Sequence, residues 1–100
     1  MTVLMIGGML ASCERSQMSR AEGAKTPEEI ALAYVDNLKN VKDKESADAF
    51  EEAHKVLKKK ANDLSNDDKG TLLGLLIRGG AEVQSEHKRI KELGLHADYL

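Results

Sequence analysis

Residues 43–64 decide the fold, and they read DKESADAFEEAHKVLKKKANDL. Apolar residues recur in this stretch at alternating steps of three and four, the spacing of one face of an α-helix. Acidic residues come early and lysines come late, an order that complements the helix dipole. We therefore predict a helix over about 44–64, capped by Asp43 or Ser46. The predicted buried stripe consists of Ala47, Phe50, Ala53, Leu57, Ala61 and Leu64.

A shorter helix is predicted upstream, over about 27–40. It begins at Thr26-Pro27-Glu28-Glu29. Threonine followed three residues later by glutamate is the spacing of a capping box, and proline is favoured at the first helical position. The predicted buried face consists of Ile30, Tyr34, Leu38 and Val41.

A third helix is predicted over about 66–93, after a cap at Ser65 and before a C-terminal glycine, Gly94. Its apolar side carries Leu72, Leu73, Leu76, Ile77, Val83 and Ile90. The pair Gly79-Gly80 either kinks or splits this helix, or lets another backbone come close. Between these alternatives we expect close packing at Gly74 and Gly80, with a modest bend.

Length and composition define the fold class. The chain has 100 residues with a formal net charge of −2, which fits one domain and points to no nucleic-acid partner. Only three residues are aromatic, so Leu, Ile, Val and Ala must supply most of the core. We predict an all-α fold at 26–100. It is either a three-helix up-down-up bundle or a long helical hairpin with a short packed first helix.

The N-terminal segment carries the most specific motif. Residues 1–12 are free of charged side chains and too short to cross a bilayer, which takes about 20 apolar residues. Leu10-Ala11-Ser12-Cys13 then matches the lipobox of bacterial lipoproteins at all four positions, and the chain turns polar at Glu14. The segment thus resembles a lipoprotein signal. The alternative is an apolar N-terminal segment packed on the domain, with Cys13 as a plain thiol.

The lipoprotein resemblance implies a lipid anchor and a location. In that family the cysteine thiol receives a diacylglycerol, the chain is cut before the cysteine, and the new amino group is acylated. Cys13 would then anchor the protein in the bacterial cell envelope. Residues 15–25 hold Ser, Gln, Ala, Gly and charged side chains with no apolar period, so we expect residues 13–25 to form a flexible tether. Glu14 is not the aspartate that retains some lipoproteins in the inner membrane, so outer-membrane delivery is favoured. No Lys or Arg precedes the apolar run, so we expect the full signal to begin upstream of Met1.

Residues able to carry chemistry are sparse. Glu51 and His54 form an E-x-x-H pair, the spacing of di-iron bundles, but Gln84 stands three residues before His87. Simple helical pairing also places His87 roughly 15 Å from His54. We predict no catalytic, cofactor-binding or metal-binding residues. His87 is either a pH-sensitive or ligand-binding group or a half-buried, hydrogen-bonded histidine, and we favour the second interpretation. His96 is expected to be exposed.

These features favour a non-enzymatic function. The first hypothesis is a membrane-anchored envelope lipoprotein whose helical module binds a protein partner or self-associates. The second is a small inhibitor, immunity or regulatory protein that acts on an envelope enzyme. The third and least favoured is a metal-binding helical bundle.

Overall fold

Helices account for most of residues 16–100, the part of the chain that the computed structural model describes. No strand occurs within that range, so the prediction of an all-α fold is confirmed. The predicted signal segment and Cys13 lie outside the described residues. The helical segments are α1 at 16–23, α2 at Pro27–Lys39, α3 at Lys44–Asn62, α4 at Asn66–Arg78 and α5 at Gly80–Glu92.

The predicted N-caps of α2, α3 and α4 are all present. The Thr26 hydroxyl accepts the Glu29 N–H, and the Glu29 carboxylate accepts the Thr26 N–H, which completes a capping box. Asp43 caps α3 and accepts the Ser46 N–H at 2.8 Å, while the Ser46 hydroxyl accepts the Asp43 N–H. Ser65 caps α4. These short-range bonds explain why the helix starts could be predicted from local sequence.

The predicted third helix is two helices that meet at Gly79. At this residue φ is −85° and ψ is 8°, so the backbone leaves the α-helical range for one position. Hydrogen bonds continue on both sides, since the Gly79 N–H donates to the Leu75 carbonyl and the Gly79 carbonyl accepts the Val83 N–H. The prediction of close packing at Gly74 and Gly80 is wrong, because a Cβ added at either would meet nothing within 4 Å.

Residues 16–23, expected to belong to a flexible tether, form the packed helix α1 instead. The contacts between α1 and the rest of the domain are mainly polar. Gln17 is 1% exposed and its Nε2 donates to the Ser46 carbonyl at 3.1 Å. The Asn37 Nδ2 donates to the Gln17 carbonyl, and Arg20 donates to the Asn37 Oδ1. Ala21 is fully buried beside these bonds.

Lys60 of α3 forms hydrogen bonds with the C-terminal end of α1. Lys60 Nζ donates to the carbonyl of Ala24 at 2.8 Å and also to the carbonyl of Glu22. A cation at the C-terminal end of a helix satisfies free carbonyls and complements the dipole. Because these partners are 36 and 38 residues apart in sequence, no local pattern could reveal the contact.

Helix α2 occupies the middle of the fold, since it contacts α3, α4 and α5. Its C-terminal end is closed by Arg89 of α5, which donates to the Val41 carbonyl at 2.7 Å and to the Leu38 carbonyl at 3.2 Å. The fully buried side chains Ile30, Tyr34, Leu38, Phe50, Leu57 and Ile90 form the centre of the core.

The chain after α5 folds back onto the core instead of leaving the domain. Gly94 adopts φ +76°, the left-handed conformation that glycine reaches without a steric penalty. The Gly94 N–H bonds the Lys91 carbonyl and the Leu95 N–H bonds the Ile90 carbonyl, the pattern of a Schellman motif. The terminal segment 95–100 therefore turns sharply, and Ala97 within it is buried.

Candidate functional site: a histidine–aromatic cluster and an exposed helix face

All three aromatic residues of the chain meet two of its three histidines in one cluster. The ring centroid of Tyr34 lies 6.3 Å from Phe50, 5.8 Å from His54 and 6.3 Å from His87. Tyr99 stacks on His87 at 3.7 Å. The cluster therefore joins α2, α3, α5 and the terminal segment around the Tyr34 ring.

The shortest polar contact in the cluster joins α2 to α5. The Tyr34 hydroxyl lies 2.7 Å from the Nε2 of His87, and both side chains are buried. Burial raises the pKa of Tyr34 to about 12, so the hydroxyl keeps its proton and donates it to Nε2. Neutral His87 then carries its own proton on Nδ1. His87 was predicted to be half-buried and hydrogen-bonded; the hydrogen bond is present, and the side chain is more deeply buried than predicted.

His54 ties the terminal segment to α3. Its Nε2 lies 3.1 Å from the backbone carbonyl of Tyr99, and since a carbonyl can only accept, Nε2 is the donor. The opposite ring nitrogen, Nδ1, is buried and has no hydrogen-bond partner among the described residues. The ring also stacks on Phe50 at 5.1 Å. His54 is thus a buried neutral imidazole with one free acceptor nitrogen.

Burial sets the protonation of both histidines. It lowers the pKa of His54, and the Tyr99 carbonyl opposes that effect only in part. It also lowers the pKa of His87, where positive charge on His54 or His96 acts in the same direction. Both rings are consequently neutral near pH 7, and the cluster can respond to acid by gaining charge in the core.

The predicted separation of His54 and His87 is wrong, because both rings flank Tyr34. The prediction assumed one continuous helix paired with α3, whereas the helix is interrupted at Gly79 and α5 contacts α2, the helix that carries Tyr34. Among residues 16–100 no group of three or more His, Cys, Asp or Glu could hold a metal ion.

The other residues considered from the sequence lie apart from this cluster. Glu51 is exposed whereas His54 is 2% exposed, so the E-x-x-H pair is divided between solvent and core. His96 is exposed, as predicted, and its Nε2 lies 2.7 Å from Asp98 Oδ1. Cys13, the predicted lipidation site, lies outside the described residues.

A second feature is the outward face of α4. Only Leu72 of this helix is buried, although five of its residues are leucine or isoleucine. Leu73 is 60% exposed and Ile77 is 70% exposed, one turn apart. Beside them an open groove of about 400 Å³ lies between α3 and α4, with Leu76 and Leu100 in its wall. Adjacent exposed apolar side chains of this size are typical of interaction surfaces.

Comparisons with protein-family models, with curated proteins and with solved structures find no match to this chain. Within residues 16–100, no helix has the length and apolar character needed to cross a membrane.

Proposed function

We propose that this protein is a non-enzymatic lipoprotein of the bacterial cell envelope, anchored through Cys13, whose helical domain binds another protein. The observation that carries the proposal is the four-residue match to the lipobox, Leu10-Ala11-Ser12-Cys13. A thioether-linked diacylglycerol with a further acyl chain supplies more than the single chain that is marginal for stable membrane attachment.

The position of α1 supports a short connection between anchor and domain. Only Glu14 and Arg15 separate Cys13 from the first described helical residue, Ser16. Three residues can span at most about 10 Å, so a lipid on Cys13 would hold α1 close to the lipid–water interface. In this proposal the domain rests near the membrane surface, without the flexible spacer that the composition of residues 13–25 predicted.

The roles of the two buried histidines favour a structural function for the cluster. The Nε2 of His87 accepts the Tyr34 hydroxyl, and the Nε2 of His54 holds the Tyr99 carbonyl. Both atoms are therefore used to join helices and the terminal segment. The exposed apolar face of α4 supports the assignment of a protein-binding role.

The short connections at 40–43 and 63–65 favour an up-down-up order for α2, α3 and α4. We include that arrangement in the proposal, with α5 as a further helix after the break at Gly79.

Metabolic labelling with a clickable fatty acid tests the anchor. The protein is expressed from its own locus as wild type, as Cys13→Ala and as Ser12→Ala. Wild type and Ser12→Ala are expected to be labelled and to sediment with membranes, since Ser12→Ala keeps a small residue before the cysteine. Cys13→Ala is expected to lose both properties. Equal labelling of wild type and Cys13→Ala, or no labelling of either, would contradict the proposal.

A further inference from the structure

The outward face of α4 is apolar and has no partner within the described chain. Gly70, Leu73, Gly74 and Ile77 recur at steps of three, one and three, so they fall on one side of the helix. Leu72, on the opposite side, is the residue that α4 buries. The exposed fractions of Leu73 and Ile77, 60% and 70%, are among the highest of the large apolar residues. Packing within the domain therefore does not explain why this face of α4 is apolar.

The two glycines on this face have no role in the packing of the domain. A Cβ added at Gly70 or at Gly74 would meet no atom within 4 Å. Neither residue has a positive φ, since Gly94 is the glycine described in that region. Glycine inside a helix weakens it relative to alanine. Close approach of an external helix is the arrangement in which the absence of both side chains becomes useful.

Two opposite charges border the same side of this face. Asp67 lies in the first turn of α4 and Arg78 in its last turn. They are eleven residues apart, which is close to three full turns, so the two side chains lie almost in one line along the helix. Both residues are exposed, and neither forms an ion pair with the part of the chain that the structure describes.

This charge order is complementary to itself when two copies of α4 run antiparallel. With a two-fold axis at Leu73, Arg78 of one copy lies within one residue of the level of Asp67 of the other. The same register brings Ile77 of one copy to within one residue, or about 1.5 Å, of the level of Gly70 of the other. A parallel pair would instead place like charges opposite each other. The antiparallel pair also opposes the two helix dipoles favourably.

We propose that the α4 face formed by Gly70, Leu73, Gly74 and Ile77 pairs antiparallel with the same face of a second copy of this chain. A two-fold interface of this kind uses one patch on both copies, as most homodimers do. The inference rests on the protein-binding role proposed above and names its partner, but it does not depend on the lipid anchor.

Sedimentation equilibrium of the full chain carrying Cys13→Ser tests the pairing without lipid or disulfide. A monomer has a mass of 11.0 kDa, and a dimer of twice that mass is expected. Ile77→Ser is expected to raise the dimer dissociation constant at least tenfold. The matched control is Leu32→Ser, which changes a side chain 62% exposed on α2, and it is expected to leave the dissociation constant within twofold. Circular dichroism checks that each variant retains its helix content.

Charge reversal provides the second, independent measurement. Asp67→Arg and Arg78→Asp each place like charges opposite one another, so each is expected to weaken the dimer. The double variant Asp67→Arg/Arg78→Asp restores opposite charges and is expected to recover most of the lost affinity. A monomer at all concentrations, an equal effect of Leu32→Ser, or no recovery in the double variant would overturn the proposal. Failure of lipid labelling at Cys13 would refute the anchor and leave these results unchanged.

Discussion

Replacement of Tyr34 by phenylalanine removes one oxygen atom from the centre of the histidine–aromatic cluster. That hydroxyl lies 2.7 Å from the Nε2 of His87, and Tyr34 is 1% exposed. The ring itself and its contacts with Phe50 and His54 are retained. The substitution therefore tests the hydrogen bond between α2 and α5 with little change in packing volume.

The expected loss of stability has two parts. A hydrogen bond contributes about 0.5–1.5 kcal/mol net, and a buried group left without a partner is penalised by about 1–3 kcal/mol. In the Tyr34→Phe protein, Nε2 of His87 loses its donor within the core. We expect the free energy of unfolding to fall by about 1–3 kcal/mol. For a domain of this size, each kcal/mol corresponds to a decrease in Tm of about 4–8 °C.

Urea and thermal unfolding followed by circular dichroism measure the effect, with the full chain carrying Cys13→Ser as the reference. Tyr99→Phe is the matched control, because it makes the same chemical change on a side chain 53% exposed. Its hydroxyl donates to Gln84 at 3.3 Å in an exposed setting, so we expect a change within about 0.5 kcal/mol.

A Tyr34→Phe protein no less stable than Tyr99→Phe would refute this reasoning. It would mean that the Tyr34–His87 bond makes no net contribution, or that the unpaired nitrogen finds another partner. A large loss in both variants would show instead that the terminal segment, and not the buried bond, determines stability.

Two further predictions concern acid and glycine. Burial holds the pKa of His54 and of His87 below the ordinary histidine value of about 6.5, so the unfolded chain binds these protons first as the pH falls. The contribution of the two neutral histidines to the free energy of unfolding is complete above about pH 6.5. It is lost as the pH falls through the folded-state pKa values, by at most about 1.4 kcal/mol per pH unit for each ring. Urea titrations from pH 8 to pH 5 that return a constant free energy of unfolding would contradict it. Gly94→Ala is expected to lower stability by about 1–2 kcal/mol, because φ is +76° there. Gly79→Ala, at φ −85° and with its nearest contact at 3.5 Å, should be neutral or stabilising by up to about 1 kcal/mol. Thermal melts of Gly94→Ala and Gly79→Ala test this backbone argument. A change in stability of the same sign in both variants would count against it.

Several helix boundaries could be read from the sequence because the bonds that define them are local. Thr26, Asp43 and Ser65 each bond a backbone N–H three residues ahead, so the cap and its partner appear in one short stretch. The predicted limits 27–40 and 44–64 accordingly agree with α2 and α3 to within about two residues. The apolar faces follow from periodicity for the same reason.

The packing of α1 was not predictable in this way. Its contacts depend on Gln17, Arg20 and Lys60, polar side chains that a hydrophobic pattern does not register. Each finds its partner at least 17 residues away. Composition therefore indicated a tether where long-range hydrogen bonds hold a helix against the domain.

The candidate site was likewise predictable from the sequence only in part. His87 was expected to be a half-buried, hydrogen-bonded histidine, and it is buried and hydrogen-bonded in the structure. Its bond to Tyr34 and its stack with Tyr99 could not be inferred, since the three residues come from α5, α2 and the terminal segment. His54 drew attention only through its spacing from Glu51, which the structure does not use.

Sequence alone determined the all-α class and the caps of three helices, because helix propensity and capping both depend on neighbouring residues. Tertiary structure alone decided the packing of α1, the break at Gly79, the return of the terminal segment and the gathering of both histidines around Tyr34. Those features depend on which distant groups can bury apolar surface and satisfy one another's hydrogen bonds at the same time. Which side of α4 remains exposed is likewise a property of the folded domain, because the leucines of that helix are alike in sequence and differ only in what covers them.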